Sequence, residues 1–571
     1  MRAFGIDFGT TNSVLATTLG RSIDTVPLDD PPGGWDGFDR VLPSVIGLTN
    51  GSPSFGWKAK RQPDALRAVK RLFATDEDTV EIGGTTLKVE EAAAIFFRQI
   101  QKKAAETITE PLDQAVVTIP ANSRGKARYR TKLSAGLAGI EVMALINEPT
   151  AAAMAHSRAI GEDQRILVFD WGGGTLDVTV LQSVDGTFIE QASKGIQRLG
   201  GIDVDQAFLN AVLPGISGSG SWNPYQVAEF ALDLELAKIQ LSSLAETQIP
   251  VPGGGYAPVT RSQFEGSIRS LIEQSLDPVR TCLSESPGRV DHLVMVGGSS
   301  KIPLAQEMVA EIVGIEPSMD VDPMTAIAEG AAVAAGILSG VTDDIDFFVG
   351  TEHALGTIVN NATSPEEGEF SVLIRRNTKL PAQARDTYTP ANDYQEFVNV
   401  QVIEGDPQFS VLHDDNVVLK AWQVQLLDKK PADESTFEVL YEYDVDGILH
   451  VIVKDLASGT VMMDEELSFG AGQDKRALPG MRKRIDGLMD GSIDDDEATI
   501  PASASPGPAG LSPASVASVR KARDKILPFI DDDDSKVLMP LVEALEAASP
   551  QEEEAARGDL ERELRRHSYL L

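Results

Sequence analysis

A chain of 571 residues has room for roughly three or four domains of ordinary size and for more than one buried core. Its 86 acidic residues against 50 basic ones give a formal net charge of -36, a field that repels phosphate backbones and anionic lipid and so argues against general nucleic-acid or membrane-surface binding. A single cysteine, Cys282, excludes an internal disulfide and reads as a buried, inert thiol.

The N-terminal stretch MRAFGIDFGTTNSVLATT lacks the basic start and long apolar run of a signal peptide, and no stretch approaches ~18 uninterrupted apolar residues. A cytoplasmic protein is expected. The chain opens with a short strand, RAFGIDFG, a turn, TTNS, and a second strand, VLATTL. The plan recurs in ILVFDWGGGTLDVTVL, with its turn at Gly172 to Gly174. Each copy sets an aspartate, Asp7 or Asp170, where strand meets turn, so two similar halves facing each other across a cleft are expected.

Between the copies, EEAAAIFFRQIQKKAAETI, RGKARYRTKLSAGLAGI and NEPTAAAMAHS read as helices and AVVTIP as a buried strand. Beyond the second copy, YQVAEFALDLELAKIQLSSL and QFEGSIRSLIEQSLDPVRTCL have helical periods. LVMVGGSSKIPLAQEMVAEIV is strand, Gly-Gly turn and helix, and AIAEGAAVAAGIL is a small-residue helix made for close packing. Alternating strands and helices predict an α/β domain over 1–341. The acidic and apolar stretch 342–350 reads as a connector.

Over 351–470 the texture is β throughout. FSVLI, EFVNVQVI, VLKAWQVQLL, TFEVLYEYD and ILHVIVKD are short runs parted by turn residues, and DVDGILHV holds an Asp-Gly turn. That predicts a small β-sandwich. A short helix near 475 to 490 and a Pro/Ala/Ser-rich tether fill 471–513. Residues 514–571 predict a bundle of short helices broken at Pro528, Pro540 and Pro550.

Two facing turns of small residues can cradle a polyphosphate, because backbone N–H groups reach phosphate oxygens there. Thr10, Thr11 and Thr175 can add hydroxyl donors. Asp7, Asp170 and Asp177 are hard oxygen donors suited to Mg2+ and its water shell.

FGIDFGTTNS, NEPTAAA, VFDWGGGTLDV, LGGIDVD and VMVGGSSKIP follow one another in the order and at the distances of a seventy-kilodalton heat-shock chaperone of the DnaK type, and the sequence resembles that family from residue 1 to about 470. The resemblance implies an actin-like ATPase domain of duplicated halves, followed by a β-sandwich and a short helical C-terminal segment. It implies ATP or ADP with Mg2+, and catalytic roles for Lys70, Glu148, Asp170 and Thr175. Gly9, Thr10, Thr11 and Asn12, with Gly172, Gly173 and Gly174, match its phosphate loops. Gly200 and Gly201 fall in its LGG turn, Glu235, Lys238 and Ser242 on its adenosine-side helix, and Gly297, Gly298 and Ser299 in its second adenosine-side loop. Pro120 and Arg128 match an interdomain relay, and Thr389, Ala391 and Val398 fall in its peptide-binding loop and strand. The implied partners are extended apolar peptides, a J-domain co-chaperone and a nucleotide exchange factor.

Several positions depart from that pattern. The connector carries Asp346, Phe347 and Phe348, with Val349 where an aspartate is typical. Ala144 replaces the arginine shown to J-domain partners, Ile202 replaces an acidic residue, and Asn360 stands at a usually apolar arch position. Altered J-domain stimulation is the expectation that follows. The main reading is an ATP-driven peptide-binding chaperone. A nucleotide-gated scaffold for one dedicated partner stays open beside it, as does, more remotely, a small-molecule kinase of the same fold.

Overall fold

The apolar run AFGIDF forms the strand Ala3–Phe8 in the computed structural model, and the small-residue turn after it returns the chain as the antiparallel strand Asn12–Leu19. The structure describes all residues except 1, 21, 32–37, 50, 76, 122, 158–159, 162, 185–186, 342–349, 352, 361–367, 377, 414–415, 446–447, 470–471, 473–475, 492–514, 516–517, 520–521, 523–531, 547, 550–552 and 567–571. Tertiary contacts divide the chain into a first unit, residues 1–349, 445–447 and 468–500, and a second, residues 350–444, 448–467 and 501–571.

Two main sheets build the first unit. In one, strands lie in the order Glu141–Asn147, Gln114–Ile119, Ala3–Phe8, Asn12–Leu19 and Ser22–Thr25, with Val41–Pro43 also paired to Asn12–Leu19. In the other, the order is Thr187–Ile196, Leu176–Val184, Arg165–Trp171 and His292–Val296. Each contains an antiparallel hairpin whose first strand takes a parallel neighbour on its other side. The two sheets therefore share a plan, and each puts its glycine-containing turn at the same end of its hairpin.

Among the described residues, the helices of this unit before residue 342 are α1 Gly56–Lys60, α2 Val89–Thr107, α3 Gly125–Leu137, α4 Glu148–Ala155, α5 Gly201–Val212, α6 Pro224–Leu241, α7 Arg261–Glu285, α8 Pro303–Val313 and α9 Ala326–Leu338. The apolar stripe of α2, including Ile95, Phe96, Phe97 and Ile100, packs into one core with Phe8 and Phe73. The alanines of α9 let it lie directly on Ala3–Phe8, where a Cβ on Gly5 would sit 2.1 Å from the Ala332 backbone nitrogen. A separate core, with Phe169, Trp171, Phe208, Phe230 and Phe264, lies under the second sheet. Cys282 belongs to it, donates from Sγ to the Val178 carbonyl at 3.3 Å, and has its thiol pushed up to about 12 by burial.

In the second unit, Glu369–Ile374, Ala354–Val359, Phe397–Gly405 and Val417–Gln425 form one antiparallel sheet, in that spatial order. Ala382–Tyr388, Phe437–Tyr443, Leu449–Asp455 and Val461–Glu466 form the other. Alternate residues such as Val398, Val400 and Val402, or Val451 and Val453, turn inward. Tyr441 links the sheets by donating its hydroxyl to the Gly356 carbonyl at 2.8 Å.

Helix α10, Leu478–Asp490, falls where the short helix near 475 to 490 is expected. It belongs to the first unit, where Met481, Ile485 and Leu488 complete the core around α2. Further on, α11 (Asp532–Glu546) and α12 (Glu553–Arg566) share a small core with Val519 and Ala522. Pro540, expected to break a helix, lies inside α11, whose flanking Leu538, Val542 and Leu545 are all buried. Packing there overrides the local preference. The connector 342–349, with Asp346, Phe347, Phe348 and Val349, and the tether 492–514 fall outside the described residues. Among the described residues, no helix is long and apolar enough to cross a membrane.

Candidate functional site

The two glycine-containing turns meet. A Cβ on Gly173 would fall 1.9 Å from Thr11 Oγ1, an approach only glycine allows. Beside them Gly297, at φ +84°, passes so close to Trp171 that a Cβ would lie 2.5 Å from its carbonyl oxygen. Asp7, Gly9, Thr10, Thr11 and Asn12 from one side, and Asp170, Gly172, Gly173, Gly174 and Thr175 from the other, line one cleft. Lys70, Pro120, Glu148, Gly297 and Gly298 line it too. So do Val14, Pro323, Met324 and Ile327, which carry no chemical signature and could not be picked out from the sequence.

Hydrogen bonds hold the turns in shape. Ser44 donates its hydroxyl to the Gly9 carbonyl at 2.8 Å, and Ser299 donates to that of Gly172 at 3.0 Å. The Gly201 and Ile202 amides donate to the carbonyls of Gly172 and Gly173 at 3.0 and 2.9 Å. Gly201 and Ile202 thus brace the second turn from α5, and Gly200 and Gly201 are not part of the cleft lining. Ser299 likewise supports it from beneath.

Lys70 sits on the 3-10 turn Val69–Ala74 and donates from Nζ to Glu148 Oε1 at 2.6 Å, with both side chains largely buried. Glu148 is placed by the strand Glu141–Asn147, at whose end it opens α4. Asp7 accepts from the Thr118 hydroxyl at 2.9 Å, and Asp170 stands opposite Asp177 in the hairpin register. Burial, and then the nearby Glu148 carboxylate, push Asp7 up to about 7 against the opposing pull of Lys70. Burial raises Asp170 well above the usual range, with Glu148, Asp177 and Asp7 adding to it. Crowded, hard carboxylate oxygens of this kind suit a divalent cation. Among the described residues no three histidine, cysteine, aspartate or glutamate side chains form a group that could hold a metal ion by themselves.

One contact that sequence reasoning missed lies next to Lys70. Arg71 donates from Nη2 to the Gly174 carbonyl at 2.6 Å, from one hairpin's side of the cleft to the other. Its adjacency to Lys70 in AVKRLF was the available signal. Of the residues expected on the adenosine side, Gly297 and Gly298 line the cleft, while Glu235, Lys238 and Ser242 do not. Glu235 on α6 accepts from Lys60 on α1, at 2.6 Å to each carboxylate oxygen. Burial pushes Glu235 upward, but Lys60, Lys238 and Arg67 prevail and hold it low. Lys238 pairs with Asp205 at 2.7 Å, and Ser242 caps the end of α6.

Pro120 lines the cleft beside Glu148, and Arg128 is buried on α3, donating from Nε to the Ser123 carbonyl at 3.1 Å. Ala144 packs with Ala3, Val116 and Ile146 in the interior. Ile202 is exposed at the start of α5. In the second unit Thr389 and Ala391 are exposed, Val398 is buried opposite Val424, and Asn360 is exposed after the strand Ala354–Val359.

Residues 68–483 match the family model described as Hsp70 protein.

Proposed function

Because the chain belongs to the Hsp70 family, whose members are nucleotide-binding chaperones, we propose that it binds ATP with Mg2+ between its two glycine-containing turns and hydrolyses it to ADP and phosphate. The observation that carries this is the convergence in one cleft of both turns with Lys70, Glu148, Asp7 and Asp170. Phosphoryl transfer to water asks chiefly for positioning and charge neutralisation.

Each residue then has a task. Gly9 to Asn12 and Gly172 to Thr175 hold the phosphates through amides and hydroxyls. Lys70 offsets charge on the transferring group, and Glu148, with Asp170 and Thr175, orients the attacking water. Asp7, Asp170 and Asp177 would hold the waters of Mg2+, which supplies charge neutralisation at the phosphates. Glu235, Lys238, Ser242, Gly297 and Gly298 serve the adenosine side.

ATP binding and hydrolysis would control the grip of the β-sandwich on extended apolar peptide, with Pro120 and Arg128 relaying nucleotide state and Thr389, Ala391 and Val398 contributing to the peptide site. A J-domain co-chaperone and an exchange factor are the corresponding partners.

The test joins two measurements on the full chain: single-turnover ATP hydrolysis, and release of a fluorescent extended apolar peptide on adding Mg-ATP. Hydrolysis with fast release supports both parts. Hydrolysis without peptide binding in any nucleotide state retains the ATPase and removes the chaperone cycle. Absence of hydrolysis removes both.

A further inference from the structure

Arg130, two positions after Arg128 on α3, is fully buried and touches no part of the cleft lining. An arginine sealed from water needs a paired charge and acceptors for its N–H groups. Its Nε lies 3.0 Å from Oε1 of Glu90, which is equally buried in the first turn of α2. Nη1 reaches the carbonyls of Leu72, Thr75 and Glu77 at 2.9, 3.3 and 2.9 Å, and Nη2 donates to Asp78 Oδ1 at 2.7 Å.

These acceptors lie in one stretch, 72–78, at the rear of the 3-10 turn that carries Lys70 and Arg71. The front of the turn reaches the cleft, Lys70 to Glu148 and Arg71 to the Gly174 carbonyl. Such a turn holds its shape poorly unaided. Its 3-10 hydrogen bonds have weak geometry, and it begins at Ala68 with φ 55°, a left-handed conformation costly for alanine. A buried aliphatic residue in place of Arg130 would fill the space without desolvating a charge, but it would leave the three carbonyls without this donor.

We propose that Arg130 is a positioning residue for ATP hydrolysis: by gripping the Leu72, Thr75 and Glu77 carbonyls it fixes the turn that sets Lys70 and Arg71 against the phosphate-side loops. The proposal rests on the ATPase reading above and adds to it a residue with no contact of its own to the cleft.

The experiment uses the full chain carrying Arg130→Lys, which keeps a cation for Glu90 and loses the planar fork. Nucleotide affinity should stay within about twofold, while single-turnover hydrolysis slows roughly tenfold to a hundredfold, as a displaced catalytic group requires. Amide hydrogen exchange should accelerate over residues 69–78 and nowhere else. Parental hydrolysis and exchange in a folded Arg130→Lys protein overturn the proposal. So does exchange that accelerates throughout the first unit, since a general structural role would do that. If the single variant fails to fold, the Arg130→Met, Glu90→Gln double variant, which leaves no buried charge, is read by the same criteria. The parent and Lys70→Ala are measured beside them: absence of hydrolysis in the parent counts against the ATPase reading, parental hydrolysis in Lys70→Ala removes the residue that Arg130 would position and so overturns the proposal, and exchange over 69–78 without nucleotide judges the Arg130 grip by itself.

Discussion

Lys70 Nζ donates to Glu148 Oε1 at 2.6 Å, in a cleft whose other ionisable groups include Asp7 and Asp170. Lys70 therefore faces Glu148 together with Asp7 and Asp170, two carboxyls raised first by burial and then by the carboxylates around them. Removing it should leave the fold intact, because the carboxyls can take up protons to relieve the repulsion. Hydrolysis has no such relief, since the charge Lys70 offsets develops on the transferring phosphoryl group. Lys70→Ala should lower single-turnover hydrolysis by about a hundredfold or more, the scale of one lost preorganised donor, with a much smaller change in nucleotide affinity. Unchanged turnover would remove Lys70 from the mechanism.

Asp7 gives the nucleotide-free protein a specific response to pH. Its carboxyl has an ordinary value of 3.8 and rises to about 7 in the fold, so between those values the folded chain binds more protons than the unfolded one. The stability this group contributes is fully present below 3.8 and is lost as pH rises through about 7. Denaturant unfolding without nucleotide should then show a midpoint that falls from pH 6 to pH 8. Asp7→Asn, which keeps the shape and cannot ionise, should flatten that slope. An identical slope in the variant would show that Asp7 is charged throughout the range.

The pair Lys60–Glu235 joins α1 to α6, helices packed around different sheets of the first unit. Neither side chain is strongly exposed, so the pair outweighs an ordinary surface ion pair. If the cleft holds nucleotide as proposed, the pair is expected to act as a latch between these two helices. Lys60→Met should speed dissociation of a fluorescent ATP analogue roughly tenfold, corresponding to ~1.4 kcal/mol. Lys60 has no assigned role on the adenosine side, so the effect separates latch from ligand contact. Faster release in Glu235→Gln alone would mean that Glu235 acts on the nucleotide and the latch is absent.

The cleft was legible in the sequence for a physical reason. Small residues between two apolar runs specify a tight turn, and a turn that must admit phosphate oxygens can hold little else, so Gly9 to Asn12 and Gly172 to Thr175 announce themselves. Arg130 did not. In GKARYRTKL it reads as one more cation on a helix, and only the carbonyls of residues 72–77, more than fifty positions away, decide that it is buried. Val398 could have been placed by alternation with Val400 and Val402, which assigns it to the inner face, away from the exposed Thr389 and Ala391. For α10 the stripe Met481, Ile485, Leu488 specifies a buried face but carries no information about which surface covers it.

That surface leads to a last expectation. On α10, Ile485 and Leu488 are fully buried in the core that holds Phe8, Phe96 and Phe97. Around this apolar seam, Arg484 donates from Nε to the buried Glu91 at 2.8 Å, and Arg98 donates to Asp486 at 2.7 Å. The Arg482 guanidinium reaches the Gly136 carbonyl at 3.2 Å. The helix is thus an integral part of the first unit, although the β-sandwich separates it in sequence from the rest. Ile485→Ala should destabilise that unit by about 2–5 kcal/mol, the range for emptying a well-packed aliphatic site. Hydrogen exchange resolved by segment should report the loss over α2 and α3, with the strands of the second unit unaffected. A variant with parental exchange over α2 would mean that α10 rests on this surface without stabilising it, and that residues 1–341 form a complete folding unit alone.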